Sequence, residues 1–543
     1  METGRCSLFQ FHAESAAGQC SPHISQSPGI IVIVAAPLVL IILSHIISLT
    51  YLPSRPVRRT LSFSLGAASI AVSARQLPPP HHNHSTLAPC AGPFSAMLCL
   101  PCRKRIVLPI SASSPPRPHA DYKRRRAPML LFVFAVLLGA AVVYAYKAEA
   151  ALSAPWIPTA AARLFAQRPL PPPLDDTFLS SPRYTLPLRT RGRDIVDANG
   201  TRFKLASVNW YGASDELFVP GGLDVRHRDD IAATIRAMGF NSVRLPYSDE
   251  LVVANPVIMP HLLSANRDLV GGRALDVLAA VVEALTARGV AVVVNNHITS
   301  AAWCCGADPC DAGWANDHLP AMLCRVRQTE EDWIRHWEEV MARFVNNSLV
   351  VGADLRNEVR GVWGTMTWDR WATAAERAGN RLLKMNPDWL VIVGGTESQN
   401  DLSGVGRRPV VLDVPDRVVY SAHVYSWSGW GSMGGRYAKR TYPSFVQAMR
   451  KNWAYLVEGG VAPVWVGEFG APGRPGQGDA NYWQNLLRYL KAVDADFGYW
   501  AINPRKPKDN EEETYSLLED DWDTPVLDYR MKDMTELIRA GRR

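Results

Sequence analysis

Val290-Ala291-Val292-Val293-Val294-Asn295-Asn296 is apolar on its first five residues and polar at its end, with His297 directly after. A strand facing water on one side alternates apolar and polar residues, whereas one apolar at every position is buried on both faces, as parallel strands under helices are. Seven other stretches share that character: 204–210, 241–247, 349–357, 389–395, 418–425, 462–469 and 497–503. Between them lie segments with apolar residues at i, i+3, i+4 spacing, at 228–238, 274–288, 331–344, 369–384, 442–457 and 481–493, which predict amphipathic helices. Gly239, Gly289 and Gly459 stand where helix C-caps belong. Eight such units in about 350 residues predict an α/β fold, the (β/α)8 TIM barrel. An open doubly wound sheet is the competing architecture. It calls for a glycine-rich phosphate loop after the first strand, and Val208-Asn209-Trp210-Tyr211-Gly212 is not one.

The barrel segment is assigned to 189–543, with its body starting near Arg193, and what precedes it concerns location. The chain has 543 residues, 47% hydrophobic and 20% charged, an ordinary globular composition that excludes wholesale disorder and fibrous repeats. Of 58 Lys+Arg and 51 Asp+Glu, residues 1–150 hold 14 and 4, so 151–543 is near neutral at 44 against 47. A nucleic-acid-binding body is not expected from that balance. Within 1–127, basic and rich in Pro, Ser and His, an apolar run at 30–49 predicts one possible transmembrane helix. A second run at 128–146, just after Lys123-Arg124-Arg125-Arg126, predicts a signal anchor; each run is long enough for about 30 Å of hydrocarbon. The intervening bases keep that segment cytosolic, which places the C-terminal part on the lumenal or extracellular side, or secreted if Ala148-Glu149-Ala150 is cleaved. Prolines crowd 147–188 and predict a semi-rigid stalk.

In a (β/α)8 barrel the C-terminal ends of the strands build the active site. Most of the predicted strands end in polar or aromatic residues: Arg244, His297, Asn357-Glu358, His423 with Tyr425, Glu468 and Trp500. Glu358 and Glu468, at the ends of the fourth and seventh strands, would face each other across the mouth. Glycoside hydrolysis needs such a pair, one carboxyl to protonate the leaving oxygen and one to attack or to activate water.

From about Arg193 to Arg539 the sequence resembles glycoside hydrolase family 5, the cellulase family of retaining (β/α)8 hydrolases. That family's site runs Arg, His, Asn-Glu, His-x-Tyr, Glu, Trp, and this chain fills every position in order. The resemblance implies Glu358 as general acid/base, its pKa raised in part by the second carboxylate. It implies Glu468 as an ionised nucleophile partnered by Arg244 and Tyr425, and Asn357 as the group that binds the sugar 2-OH. His297 and His423 would position substrate, and Trp500 would floor the cleaved subsite. The substrate class is a β-linked oligosaccharide or polysaccharide, or a glycolipid, and neither metal nor organic cofactor is called for. A transglycosylase on wall glucan or glycolipid and a catalytically silent carbohydrate-binding protein are the alternatives.

One loop departs from the family's common form. Trp303-Cys304-Cys305-Gly306, Cys310 and Cys324 carry the only cysteines after Cys102, and some plant and fungal members look similar here. An even number on the exported side predicts two disulfides, with Cys304 and Cys305 bonded to different partners. Zinc is the rival reading, and no pair of Cys-x-x-Cys knuckles supports it. Trp303 and Trp314 are expected to line the groove, and Trp363, Trp427 and Trp430 to shape sugar choice. Asn199 and Asn346 begin glycosylation sequons and should be exposed.

Overall fold

The eight apolar stretches form eight parallel strands, hydrogen-bonded in sequence order into a closed barrel. The computed structural model describes residues 63–65, 68–70, 119–155, 184–306, 308–361, 366–429 and 435–540. The strands are β1 (Ala206–Asn209), β2 (Ser242–Ser248), β3 (Ala291–Ile298), β4 (Val350–Asp354), β5 (Leu390–Gly394), β6 (Val418–His423), β7 (Val464–Phe469) and β8 (Asp496–Tyr499). The predicted strands are all present, most of them within two residues at each end, while the fourth and eighth stop earlier than read, at Asp354 and Tyr499.

The connecting helices are α1 (Arg228–Ala237), α2 (Ala274–Ala287), α3 (Glu330–Ala342), α4 (Trp368–Met385), α5 (Tyr442–Met449), α6 (Gln477–Val493) and α7 (Tyr529–Ala540). The 442–457 helix is broken by a π-turn at Arg450–Ala454 and resumes at Tyr455–Glu458. The fifth unit lacks the helix that an eight-unit repeat predicts. Only Thr396–Gln399 follows β5, and its backbone is left-handed at Glu397 and Ser398. Gly404, Gly406, Pro409 and Pro415 cannot sustain a helix there, and Leu402, Val405 and Val410 bury themselves in the core instead.

Strand β3 shows how the layers are built. Val292 and Val294 face out and join the helix-side core with Leu278 and Val282. Ala291 and Val293 face in and meet Leu390, Ile392, Val419 and Trp465 in a second cluster. Farther along the same inward side stand Asn295 and His297, both buried. Fully burying one such aliphatic side chain contributes about 1.5–3 kcal/mol, so the lower barrel is held by apolar burial. A hairpin, Arg189–Arg191 with Asp194–Val196, closes this end and adds Leu188 and Ile195, and Phe203 and Leu205 join them there. The Tyr184 ring lies 4.5 Å from Phe203, so the packed body reaches back past 193 and takes in the last residues assigned to the stalk.

The chain forms two units, Met1–Ala145 and Tyr146–Arg543, and the barrel belongs to the second. A short antiparallel pair, Phe63–Leu65 with Ala68–Ile70, lies in the first. The expected anchor at 128–146 sits inside a longer helix, His119–Ser153. Its Met129–Ser153 portion holds an 18-residue window of mean hydropathy 2.4, apolar and long enough to cross a membrane. Residues 147–153, assigned to the stalk, are helical because Ala148, Glu149, Ala150, Ala151 and Leu152 are strong helix formers and proline enters only at Pro155. The run at 30–49, residues 156–183, Cys99, Cys102, Trp363 and Trp430 lie outside the described residues.

Candidate active site

Local irregularities aim the two glutamates inward. In β7 the register with β6 shifts by one residue between Ala422 and His423, so that His423 pairs with Glu468. Such a bulge re-aims the side chain that follows it. Gly467 makes room, since a Cβ there would stand 2.7 Å from Ser421 Oγ. Glu358, just past β4, has a left-handed backbone with φ 45°. That conformation costs a non-glycine residue on the order of 1–3 kcal/mol and persists only when its surroundings impose it. Gln399 helps to impose it: its Oε1 accepts the Glu358 N–H at 2.9 Å, and its amide donates to Ser421 Oγ at 2.9 Å. The turn standing where the fifth helix was expected therefore supplies a support for Glu358.

Arg244, fully buried, organises the rest. Its Nε donates to Asp354 Oδ2 at 2.8 Å, Nη2 to Asn357 Oδ1 at 2.8 Å, and Nη1 both to Asn209 Oδ1 at 3.1 Å and to Glu468. The Tyr425 hydroxyl donates to Glu468 Oε2 at 3.0 Å. His423 Nδ1 lies 3.0 Å from Glu358 Oε1 and 3.5 Å from Glu468 Oε2. One ring nitrogen of His423 and one carboxyl oxygen from each glutamate lie within 4.8 Å of one another. His297 shares Nδ1 with Asn295 Oδ1 at 2.8 Å, and its ring stacks on Trp500 at 5.5 Å. Tyr211 stacks on Trp500 at 5.0 Å. All eight sequence-predicted residues thus reach one end of the barrel.

The two carboxyls differ electrostatically. Burial pushes the Glu358 carboxyl up to about 7; Arg360 and Arg244 oppose this and Asp311 adds to it. Glu468 is also raised, by burial first, with the charge of Arg244 and the Tyr425 hydrogen bond opposing this. Repulsion between the two carboxyls is mutual, and the charge of Glu358 adds to the rise at Glu468. Burial lowers His423 to about 4, which leaves its imidazole neutral near pH 7.

The cysteine loop corrects two expectations. Cys304 pairs with its neighbour Cys305, and Cys310 pairs with Cys324. The second pair has its Cα atoms 5.5 Å apart, an ordinary disulfide span, which among the described cysteines leaves Cys304 and Cys305 only each other. Both sulfurs of that vicinal pair accept from Asn357 Nδ2 at 3.2 Å. Trp314 does not line the groove: it is buried, with its ring 5.0 Å from Trp371 and its Nε1 donating to Glu330. Trp303 does stand at the mouth, 39% exposed and edge-on to Tyr211. Trp427 is 46% exposed and stacks on Tyr425. Asn199 and Asn346 are both exposed.

Among the described residues, two groups have donors close enough for a cation: Glu358, His423 and Glu468, and Cys304, Cys305 and Glu358. In the first, Arg244 already supplies positive charge to Glu468; in the second, the sulfurs are bonded to each other. Sequence reasoning did not single out Asp354, Asn209 or Gln399, which hold Arg244 and Glu358. Only their places near the strand ends signal them, because amides and single acids there are common.

The model of the family described as cellulase, glycosyl hydrolase family 5, matches residues 196–506. An endoglucanase of Paenibacillus polymyxa is 33% identical over 351 residues, covering 62% of this chain and 83% of that one. A glycosyl hydrolase 5 family protein of Chamaecyparis obtusa is 30% identical over 399 residues, covering 67% and 68%. Among solved structures, a cellotetraose complex of an endocellulase from Pyrococcus horikoshii superposes with TM-score 0.54 at 27% identity, covering 66% of this chain and all of that one. The catalytic domain of the major endoglucanase from Xanthomonas campestris gives TM-score 0.53 at 27% identity, covering 65% and 99%. With the barrel, the facing carboxyls and these likenesses together, the chain belongs to glycosyl hydrolase family 5 and is an O-glycosyl hydrolase.

Proposed function

We propose that this protein cleaves β-linked glucan by double displacement, with Glu468 as nucleophile and Glu358 as acid and then base. The observation that carries the reading is a pair of buried carboxyls with oxygens within 4.8 Å, one bound to a guanidinium and the other not. Retaining hydrolases hold their carboxyls about 5–5.5 Å apart, too close for a water between them. Glu468, with Arg244 on one oxygen and the Tyr425 hydroxyl on the other, keeps a nucleophilic anion at the sugar C1. Glu358 holds its proton until pH 7 and gives it to the leaving oxygen as C1–O breaks. Water then attacks C1, yields its proton to Glu358 and releases Glu468.

The surrounding residues serve those two steps. Asn357 Nδ2 has only weak sulfur acceptors, so it can turn to the sugar 2-OH, a contact that tightens in the oxocarbenium-like transition state. Neutral His423 shares Nδ1 with Glu358, and its Nε2, which has no protein partner, suits a sugar hydroxyl. Trp500 offers a face for stacking. Relatives named endoglucanases and the cellotetraose complex support β-glucan as the polymer. The apolar helix portion Met129–Ser153, the basic block just before it and two disulfides support a membrane-anchored enzyme with its barrel on the exported side. The test is the anomeric form of the first product released from cellotetraose by the full chain, followed by proton NMR. A β-anomer appearing first is expected; an α-anomer appearing first would exclude double displacement.

A further inference from the structure

Behind Glu358 lies a second set of buried charges that the two displacement steps do not use. Arg356 and Arg360 bracket Asn357-Glu358, one on each side, and both grip one carboxylate, Asp311. Its Oδ1 accepts from Arg356 Nη2 at 2.7 Å and from the Thr299 N–H at 3.0 Å, and its Oδ2 accepts from Arg360 Nη2 at 2.9 Å. The side chains of Arg356 and Asp311 are 1% and 6% exposed. Asp311 closes the short turn Pro309–Asp311 beside Cys310, whose disulfide to Cys324 ties the loop. The other contacts of Arg356 run to Asn296 Oδ1 at 2.8 Å, Thr299 Oγ1 at 2.9 Å and buried Asp249 at 3.2 Å. Arg360 also donates to the Glu358 carbonyl at 3.2 Å and to the Gly306 carbonyl at 3.2 Å.

We propose that Asp311 is a positioning residue for Glu358: it joins the two arginines that flank the acid, fixing the acid's strained backbone and the balance of charge around it. The proposal rests on the reading of Glu358 as the acid. Arg356, Asp249 and Asp311 are buried together with the half-buried Arg360 beside them, and Arg356 left unpaired would be costly. From other elements, Glu358 faces Arg244 on β2, His423 at the end of β6, Tyr425 just beyond it, and Glu468 on β7. Gln399 and the Cys304–Cys305 sulfurs, which do not titrate near neutrality, complete its surroundings. The signs within the cluster are opposed, since the charge of Arg360 lowers the acid and that of Asp311 raises it. Removing Asp311's charge should therefore make Glu358 a stronger acid, and removing Arg360's should make it a weaker one.

The experiment measures kcat against pH for cellotetraose with the full chain in detergent. A first arm tests the underlying reading with Glu358→Gln. Cellotetraose turnover should fall at least about 100-fold, and turnover of dinitrophenyl β-cellobioside, whose leaving group needs no proton, should recover with azide. Retained cellotetraose turnover would remove the reading of Glu358 itself. With that arm passed, Asp311→Asn should move the basic limb about half to one pH unit down, Arg360→Gln should move it up, and Asp311→Glu should restore it. Lower activity with the limb unmoved, or moved the same way in both variants, would overturn the role of Asp311 and leave Glu358's intact. If Asp311→Asn does not fold, Arg360→Gln decides alone, because an upward shift supports the proposal and no shift or a downward one ends it.

Discussion

The lower and upper halves of the barrel interior are built by the same strands on opposite terms. Below, Ala291, Val293, Val351, Leu390, Ile392, Val419 and Trp465 fill the space with apolar side chains. Above, continuing along those strands, Arg244, Asp354, His297, His423 and Glu468 fill it with charge and hydrogen bonds. Apolar burial stabilises wherever it fits. Buried charge costs several kcal/mol per ion and is repaid only by well-placed partners. The lower half is therefore expected to carry the fold and the upper half the chemistry. Exchanging the perturbed half should exchange which property is lost.

The largest separation is expected from Glu468→Gln. The amide oxygen still accepts from Arg244, its NH2 can donate to the Tyr425 hydroxyl oxygen, and Asp354 still neutralises Arg244, so folding should survive. Turnover of cellotetraose should fall on the order of 10⁴-fold, as removal of a covalent nucleophile does. Circular dichroism and Tm measured beside the rate would show whether activity and fold part company. A variant that lost both together would deny the division between the halves.

The complementary change is Ile392→Ala, below the site on β5. Ile392 is fully buried among Leu390, Val419 and Trp465. Deleting its outer carbons should cost about 2–5 kcal/mol, transfer and cavity together. Urea unfolding should register that loss, while kcat per folded molecule stays near wild type. A comparable drop in kcat at full folding would show that the lower layer positions the upper one.

The same division sets what was legible in the sequence. The lower barrel announces itself, since residues such as Val292 to Val294 are apolar whichever face they take, and period alone finds them. That Glu358 and Glu468 would face each other was legible because carboxylates after apolar strands are conspicuous once they are placed on a barrel. What stayed hidden was pairing. Nothing in the order of residues says that Asp354 and Asn209 take the remaining edges of Arg244, or that Gln399 caps the Glu358 N–H. The vicinal disulfide was misread for a related reason. Two adjacent cysteines read as belonging to different partners until the 310–324 pair is seen to be closed. The gap after β5 was legible too, since no helical period runs between 395 and 418, where Gly404, Gly406, Pro409 and Pro415 stand.

The smallest effect is the most discriminating, because it asks whether the upper half lowers stability as it supports chemistry. Unfolded, Glu358 loses its proton near the ordinary 4.5, and folded it keeps it to about 7. Between those values the unfolded chain has given up a proton that the folded one still holds, so stability falls as pH rises through this window and is level above it. The span corresponds to about 3 kcal/mol, at 1.36 kcal/mol per unit. Glutamine cannot ionise, so Glu358→Gln escapes the penalty. Its Tm should be near wild type at pH 5 and clearly higher at pH 8, although it is the less active protein at both. A Tm difference that does not change with pH would mean that Glu358 is ionised in the folded state throughout, and burial would then not be what keeps the acid protonated.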